Sequence, residues 1–222
     1  MIAEVFPEAY DVQGTRVLRP DLRRKGLHST LPMGRYVSQP LTVKCESIGD
    51  MRRFLCDCKY VSDEEQFGKK DYWQAPEQFE KTMKGDCDCF ALWTWRQFLA
   101  LGFDARFVTG RSGRYGSGHA WVQFSKEGKH FLVEPGMARV GYSLPRLNTL
   151  QYHPRFSVAW DGTTMSFYKH KDRRGHPSFL QMVKLVPAWL IFWVWVWTML
   201  LVLLPFRFYR RMRSKVCKLL FR

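Results

Sequence analysis

Between Leu185 and Phe206 the chain reads Leu-Val-Pro-Ala-Trp-Leu-Ile-Phe-Trp-Val-Trp-Val-Trp-Thr-Met-Leu-Leu-Val-Leu-Leu-Pro-Phe, twenty-two residues without a charge. A helix rising ~1.5 Å per residue over that length matches a hydrocarbon core ~30 Å thick. A buried helix of a globular domain needs a polar stripe to reach water, and here Thr198 is the one hydrophilic residue. The run therefore predicts a transmembrane helix over 185–206. Trp189, Trp193 and Trp197 lie at i, i+4 and i+8, the placement of aromatics facing lipid or the interface rather than a cofactor.

The net charge of +15 reads differently once that span is set aside. Seven basic residues (Arg207, Arg210, Arg211, Arg213, Lys215, Lys218 and Arg222) fall after the span with no acid among them, which leaves +8 for the rest. Bases beside a bilayer are attracted to anionic lipid by ~1 kcal/mol each. Membrane lipid is thus the partner predicted for 185–222, and no nucleic acid is expected. The first residues have neither the basic start nor the apolar stretch of an export signal, so the expectation is a single-pass membrane protein whose preceding domain is cytoplasmic. Positive-inside counting leans the other way by a small margin, the tail outweighing Lys169, Lys171, Arg173, Arg174 and Lys184 less Asp172. In a reducing compartment Cys45, Cys56, Cys58, Cys87, Cys89 and Cys217 are expected as thiols. The Cys-Asp-Cys spacing at Cys56–Cys58 and Cys87–Cys89 is not that of a zinc site, and neither metal nor cofactor is expected.

With 46% hydrophobic and 16% aromatic residues the remainder has ample material for a core. Residues 1–45 show no sustained period and read as an irregular lead-in. A helix is signalled from Ser47, with Asp50 three residues on and Ile48, Met51, Leu55 and Cys58 along one face. A short one follows Pro76, with Phe79 and Met83 spaced i, i+4 and Gly85 breaking the run. A third begins at Asp86 or Cys87, ends at Gly102, and turns Ala91, Trp95, Phe98 and Leu99 to one side. The period then changes to two. Ala105–Thr109, His119–Phe124 and Phe131–Glu134 read as strands, and Phe156–Trp160 with Thr163–Tyr168 as a hairpin across Asp161–Gly162. Helices followed by a run of strands predict an α+β domain with an antiparallel sheet over 46–168, joined by a basic linker, 169–184, to the span and its tail, 207–222.

Cys87 follows a Gly turn and opens a helix, where unpaired N–H groups and the dipole favour a thiolate; it is the candidate nucleophile. Cys89, about 200° further round at ~100° per residue, points elsewhere. His119 begins the strand His-Ala-Trp-Val-Gln-Phe, which turns at Lys126-Glu127-Gly128 and returns to Val133-Glu134-Pro135. Folding that hairpin about its midpoint sets His119 opposite Glu134, so the carboxylate can hold the imidazole in one tautomer. Nucleophile, base and orienting acid are the parts of a thiol triad. His130, next to the turn, is read as exposed. The Gly-rich stretch Gly110–Gly118 joins two strands and opens no helix, so it is no phosphate loop; a flap beside His119 is the expectation.

From about Glu46 to Met137 the sequence resembles the transglutaminase-like superfamily, and within it the bacterial transglutaminase-like cysteine proteinases. The resemblance rests on Tyr-Trp-Gln-x-Pro-Glu (Tyr72 to Glu77), Gly-Asp-Cys-Asp (Gly85 to Asp88) with Phe90 and Ala91, Leu-Gly-Phe-x-Ala-Arg (Leu101 to Arg106), Gly-His-Ala-Trp-Val (Gly118 to Val122) and Val-Glu-Pro (Val133 to Pro135). It implies a papain-like core in which a nucleophile helix packs on the sheet, with Cys87, His119 and Glu134 as the triad and Glu134 where Asp is usual. One oxyanion donor is expected to be the Cys87 backbone N–H. By analogy with related thiol enzymes, Gln74 or Trp73 supplies the other. The expected activity is attack on an amide of a peptide or protein through an acyl-thioester, with hydrolysis favoured over transfer to an amine. The rival expectation is an inactive binding module on the same fold.

Overall fold

The change of period after Gly102 marks where the chain passes from helices to sheet. A computed structural model describes residues 2–5, 7, 10–17, 31–113, 117–138 and 149–171. In chain order they form β1 (Ile2–Val5), β2 (Thr15–Val17), α1 (Arg35–Ser38), α2 (Ile48–Asp57), β3 (Lys59–Tyr60), α3 (Asp63–Phe67), α4 (Pro76–Thr82), β4 (Lys84–Gly85) and α5 (Cys87–Ala100). Strands β5 (Asp104–Ser112), β6 (Ser117–Lys126), β7 (Lys129–Val133), β8 (Tyr152–Trp160) and β9 (Met165–Lys169) follow, with 3-10 turns at Pro135–Met137 and Thr149–Gln151.

The helix ends obey local chemistry. The Ser47 hydroxyl accepts from the Asp50 N–H at the start of α2, as its sequence signature predicts. Pro76 opens α4, but the helix stops at Thr82, ahead of Gly85, because Met83 takes a left-handed conformation with φ 49°. Helix α3, missed in the sequence, is a single turn capped by Ser62.

Seven strands form one sheet in the order β1-β7-β6-β5-β8-β9-β2, every pairing antiparallel, as expected for α+β. Helix α5 lies on one face. Trp95 meets Phe107 at 6.2 Å between ring centroids, Phe98 meets Phe124 at 4.8 Å, and the Trp95 indole N–H donates to the Ala105 carbonyl at 3.0 Å. The one-sided apolar face expected for α5 is too narrow a description. Leu92 and Trp93 are also buried, because α2 and α4 cover its other side; Phe54 stacks on Trp93 at 4.4 Å and Glu80 accepts from the Trp93 indole at 2.9 Å. Helix α5 is thus an internal helix, which burial on all sides demands.

The reading of 1–45 as irregular is corrected at three places. β1 completes one edge of the sheet on β7, β2 completes the other on β9, and α1 packs its Tyr36 and Val37 into the core. Residues 10–14 seal the second sheet face, where the Trp121 indole donates to the Tyr10 hydroxyl at 2.9 Å and the Gln123 amide to the Val12 carbonyl at 3.0 Å. The chain divides into units Met1–Arg174 and Gly175–Arg222, and the described domain belongs to the first. The transmembrane helix predicted over 185–206, the tail 207–222 and most of the linker 169–184 lie outside the described residues. Among the described residues no helix is long and apolar enough to cross a membrane.

His170 ties the beginning of this unit to its last strands. Its Nδ1–H donates to the Asp11 carbonyl at 2.7 Å, and Nε2 accepts from the Ser157 hydroxyl at 2.8 Å. Burial holds the imidazole pKa below its ordinary 6.5. A depressed histidine adds stability above the unfolded-state pKa and loses it as pH falls, since the unfolded chain then binds the extra proton. The melting temperature should therefore fall between pH 7 and pH 5, and His170→Asn should flatten that slope while lowering the plateau. An unchanged slope in the variant would assign the acid sensitivity elsewhere.

Candidate active site

Cys87 is the first residue of α5 and half-buried, and the backbone N–H of Ala120, the residue after His119, is among the groups that favour its thiolate. His119 sits near the start of β6, opposite Gly110 of β5. The register of β6 on β7 corrects one expectation. Val122 pairs with Val133, so continuation of the ladder would put Trp121, not His119, opposite Glu134. Direct opposition fails by two residues because the hairpin is centred between Glu127 and Gly128, one residue later than the midpoint fold assumed. The pair forms nonetheless: β7 ends at Val133, and the Glu134 carboxylate spans the diagonal to meet His119 Nε2 at 2.6 Å.

That carboxylate is buried and fully engaged. Oε2 also accepts from the Tyr152 hydroxyl at 2.8 Å, and Oε1 accepts from the Gly136 N–H at 3.3 Å, where Glu134 caps the Pro135–Met137 turn. With Nε2–H donating to Glu134, Nδ1 is the ring nitrogen that can take a proton. Tyr152 is the member that sequence reasoning missed. It comes from β8, reached only after a long connection, and its ring lies 6.0 Å from that of His119. The register of β5 on β8 shifts between Thr109 and Gly110, and a Cβ at Gly110 would lie 2.2 Å from the His153 carbonyl oxygen. Glycine there is what permits β8 to approach closely enough for Tyr152 to reach the acid.

The two expected oxyanion side chains face other partners. The Trp73 indole N–H donates to Asp71 at 2.9 Å, and its ring packs edge-on against Phe107. Gln74 is wholly buried, with its amide nitrogen on the Lys84 carbonyl at 2.7 Å and on Cys89 Sγ at 3.4 Å, while its oxygen accepts from Thr82 at 3.0 Å. Its amide hydrogens are therefore spent on holding β4 and Cys89. Cys89, expected only to point elsewhere than Cys87, is buried under Gly85, where a Cβ would come 2.6 Å from its own. His130 is half-buried rather than exposed, its Nδ1 2.9 Å from the Ser125 hydroxyl. The stretch expected as a flap is largely ladder, since β5 runs to Ser112 and β6 starts at Ser117.

The expected depression of the Cys87 pKa is overturned. Burial pushes the thiol up, and Asp88, Asp86 and Glu134 add to it, outweighing the single hydrogen bond from Ala120. The acids flanking Cys87 belong to a cluster that sequence reasoning also missed. Asp63 and Asp88 are buried, Asp63 accepts from the Tyr72 N–H at 2.6 Å, and Oδ1 of both Asp63 and Asp86 is buried with no protein donor. Burial, together with the neighbouring carboxylates, lifts Asp88 well above the ordinary range and Asp86 to about 6. Asp63, Asp71 and Asp88 each place an oxygen within 4.8 Å of the others, an all-oxygen set that suits a hard divalent cation. Among the described residues no such group combines cysteines of the two Cys-Asp-Cys pairs.

A carboxylate whose folded-state pKa is raised adds stability at low pH and loses it as pH rises through that value, here about 6 for Asp86. At pH 7.5 the crowded charges oppose folding. Asp63→Asn should raise the melting temperature by ~2–4 °C at pH 7.5, about what 1 kcal/mol produces in a domain of this size, and by less at pH 5. Millimolar calcium should raise the melting temperature of the wild type more than that of the variant; equal responses would deny the cluster a cation.

Residues 35–135 match the family model described as the transglutaminase-like superfamily. Solved structures similar to the chain include Legionella pneumophila LapG in an EGTA-treated form, 19% identical over 55% of this chain and 65% of that one, with a TM-score of 0.41. A second LapG structure is 18% identical, covering 62% and 74% with a TM-score of 0.41, and a calcium-bound form is 16% identical, covering 63% and 76% with a TM-score of 0.40. The chain thus spans just under two thirds of the first of these. No curated protein sequence matches. The matched segment begins at α1, contains Cys87, His119 and Glu134, and closes one residue after Glu134, so the similarity to the transglutaminase-like superfamily covers the helices and the first three long strands that carry these residues.

Proposed function

We propose that the domain is a thiol peptidase acting through Cys87, His119 and Glu134. The 2.6 Å contact between His119 Nε2 and Glu134 carries this reading, because it leaves Nδ1 as the proton acceptor, on the residue before the Ala120 N–H that favours the Cys87 thiolate. The raised thiol pKa makes the resting nucleophile a neutral thiol. His119 Nδ1 then takes the S–H proton as sulfur bonds to the amide carbon, and the oxyanion so formed meets the Cys87 N–H at the open end of α5. The C–N bond breaks as the imidazolium gives its proton to the leaving amine, which leaves a thioester. Water, deprotonated by the same nitrogen, attacks the thioester, releases the acid and restores the thiol. An amine in place of water gives transfer by the same steps. Gln74 serves by holding Cys89 and β4, and Trp73 by packing on Phe107, rather than by donating to the oxyanion.

At neutral pH a small thiol reagent should label wild-type Cys87, and His119→Ala should cut the rate ~100-fold or more, the scale of a lost general base. Glu134→Gln should cost less, since the amide still orients the ring. Equal labelling of all three would favour the non-catalytic binding module.

Anchoring through 185–206 and the basic tail is proposed on the uncharged run itself, with the domain on the cytoplasmic side. The full chain should sediment with membranes through a carbonate wash, and deletion of 185–222 should release it. Protease added outside sealed, right-side-out cells should leave the domain intact; digestion would reverse the orientation.

A further inference from the structure

Tyr152 is a partner of Glu134 to which the steps above give no task. Its place is fixed from two directions. In the ladder it pairs with Ser112 of β5, and just before it the Gln151 carbonyl accepts from the Gly113 N–H at 3.2 Å. Its ring packs edge-on against Trp121 at 5.3 Å and tilted against His119 at 6.0 Å, while Trp121 stacks on His119 at 6.0 Å. The residue is buried, and its hydroxyl donates to the carboxylate at 2.8 Å.

That hydroxyl lands on Oε2, the oxygen that His119 Nε2 meets at 2.6 Å, and not on Oε1, which accepts from the Gly136 N–H. Two donors on one oxygen have two effects. The oxygen is held between two packed rings, so the carboxylate cannot turn away from the imidazole. Its charge is also divided, since a carboxylate that already accepts from a phenol stabilises a neighbouring imidazolium less than a bare one does. The proposed reaction needs that restraint. It starts from a neutral thiol and requires a neutral imidazole to take its proton, and a buried carboxylate with no other donor on that oxygen would favour the imidazolium, which cannot act as a base.

We infer that Tyr152 is a positioning residue, whose hydroxyl pins Oε2 of Glu134 and shares its charge so that the acid orients the His119 ring without drawing a proton onto it. This rests on His119 being the base of the proposed reaction. Among the described residues the titratable groups facing Glu134 are His119 from β6, Tyr152 from β8, Cys87 from α5 and, across Gly136, Tyr60 from β3. Burial is the main cause that pushes Cys87, Tyr60 and Tyr152 up, so all three stay protonated through neutral pH and Tyr152 remains a donor.

The test reads His119 directly. In the full chain, labelled with 15N at histidine and held in detergent micelles, the ring resonances of His119 are assigned by their loss in His119→Ala and give the pH midpoint at which that ring takes up a proton. Tyr152→Phe keeps the ring and removes the hydroxyl. The midpoint should rise by ~0.5–1 pH unit, a part of what a hydrogen bond to a charged group contributes. The rate of Cys87 alkylation by iodoacetamide, read by peptide mass, should fall several-fold at pH 7 and recover as pH rises. The same substitution made in Glu134→Gln, where there is no charge to share, should leave the midpoint where Glu134→Gln alone puts it. Labelling of Cys45, Cys58 and Cys89, all buried, reports on folding and should not change. A purely structural tyrosine would lower the melting temperature and leave the midpoint unmoved; that result, or an equal shift in the Glu134→Gln background, overturns the inference. If the midpoint rises in Tyr152→Phe while His119→Ala leaves Cys87 labelling at the wild-type rate, the action of Tyr152 on the ring stands and the peptidase reading falls. If His119→Ala slows labelling while Tyr152→Phe moves no midpoint, the peptidase reading stands and the role of Tyr152 falls.

Discussion

Everything at the site is arranged around the burial of one carboxylate. Taking an ionised acid out of water costs several kcal/mol unless its oxygens are met by donors. Glu134 is met by an imidazole, a phenol and a backbone N–H, each from a different part of the chain. β6 supplies His119, β8 supplies Tyr152, and the 3-10 turn after β7 supplies Gly136. The sheet order β7-β6-β5-β8 is what brings these within reach of one another, and Gly110 removes the side chain that would keep β8 away. The extra methylene of glutamate over aspartate is used in full, because the register sets the acid diagonally from the ring it must hold.

The Cys87 thiol is governed by a contest that burial wins. A helix N-terminus stabilises a neighbouring anion by ~0.3–1 kcal/mol when exposed and up to ~2 kcal/mol when partly buried. Desolvation of a charged group costs more than that, and the two aspartates beside Cys87 act in the same direction as burial. The thiol is therefore kept as a thiol by its surroundings, and in the proposed reaction its activation falls to the imidazole. The same aspartates crowd one another within the acid cluster. This is a local cost to folding of the kind that persists where a site has a use for it.

Much of the domain was legible in the sequence, for reasons that differ from element to element. α2 was readable because Ser47 and Asp50 form a cap from neighbouring residues, and α5 because Gly85 and Gly102 bracket a run of good helix formers. β5 to β9 were readable from alternation. β1 and β2 were not: strands of four and three residues at sheet edges carry too little pattern. Cys87, His119 and Glu134 could be picked out because each follows a local signal, a Gly turn, a strand start or a strand end. Tyr152 and Asp63 could not, since their roles depend on register and on the packing of distant segments. Gln74 misled for the same reason: nothing in Trp-Gln-x-Pro-Glu reveals that its amide is drawn inward by Lys84 and Cys89.

The two outermost strands of the sheet have a consequence for how the domain is assembled. β2 pairs Thr15–Val17 with Phe167–Lys169, so that edge cannot close until nearly the whole domain has left the ribosome. Contacts so far apart in sequence carry a loop-closure penalty and slow folding. Until they form, the apolar floor around Trp121 and Leu132 has no Tyr10 or Val12 to cover it. The nascent domain thus passes through a stage with its helical half competent to pack and its sheet still open on one face, the stage at which a chaperone would find most to hold.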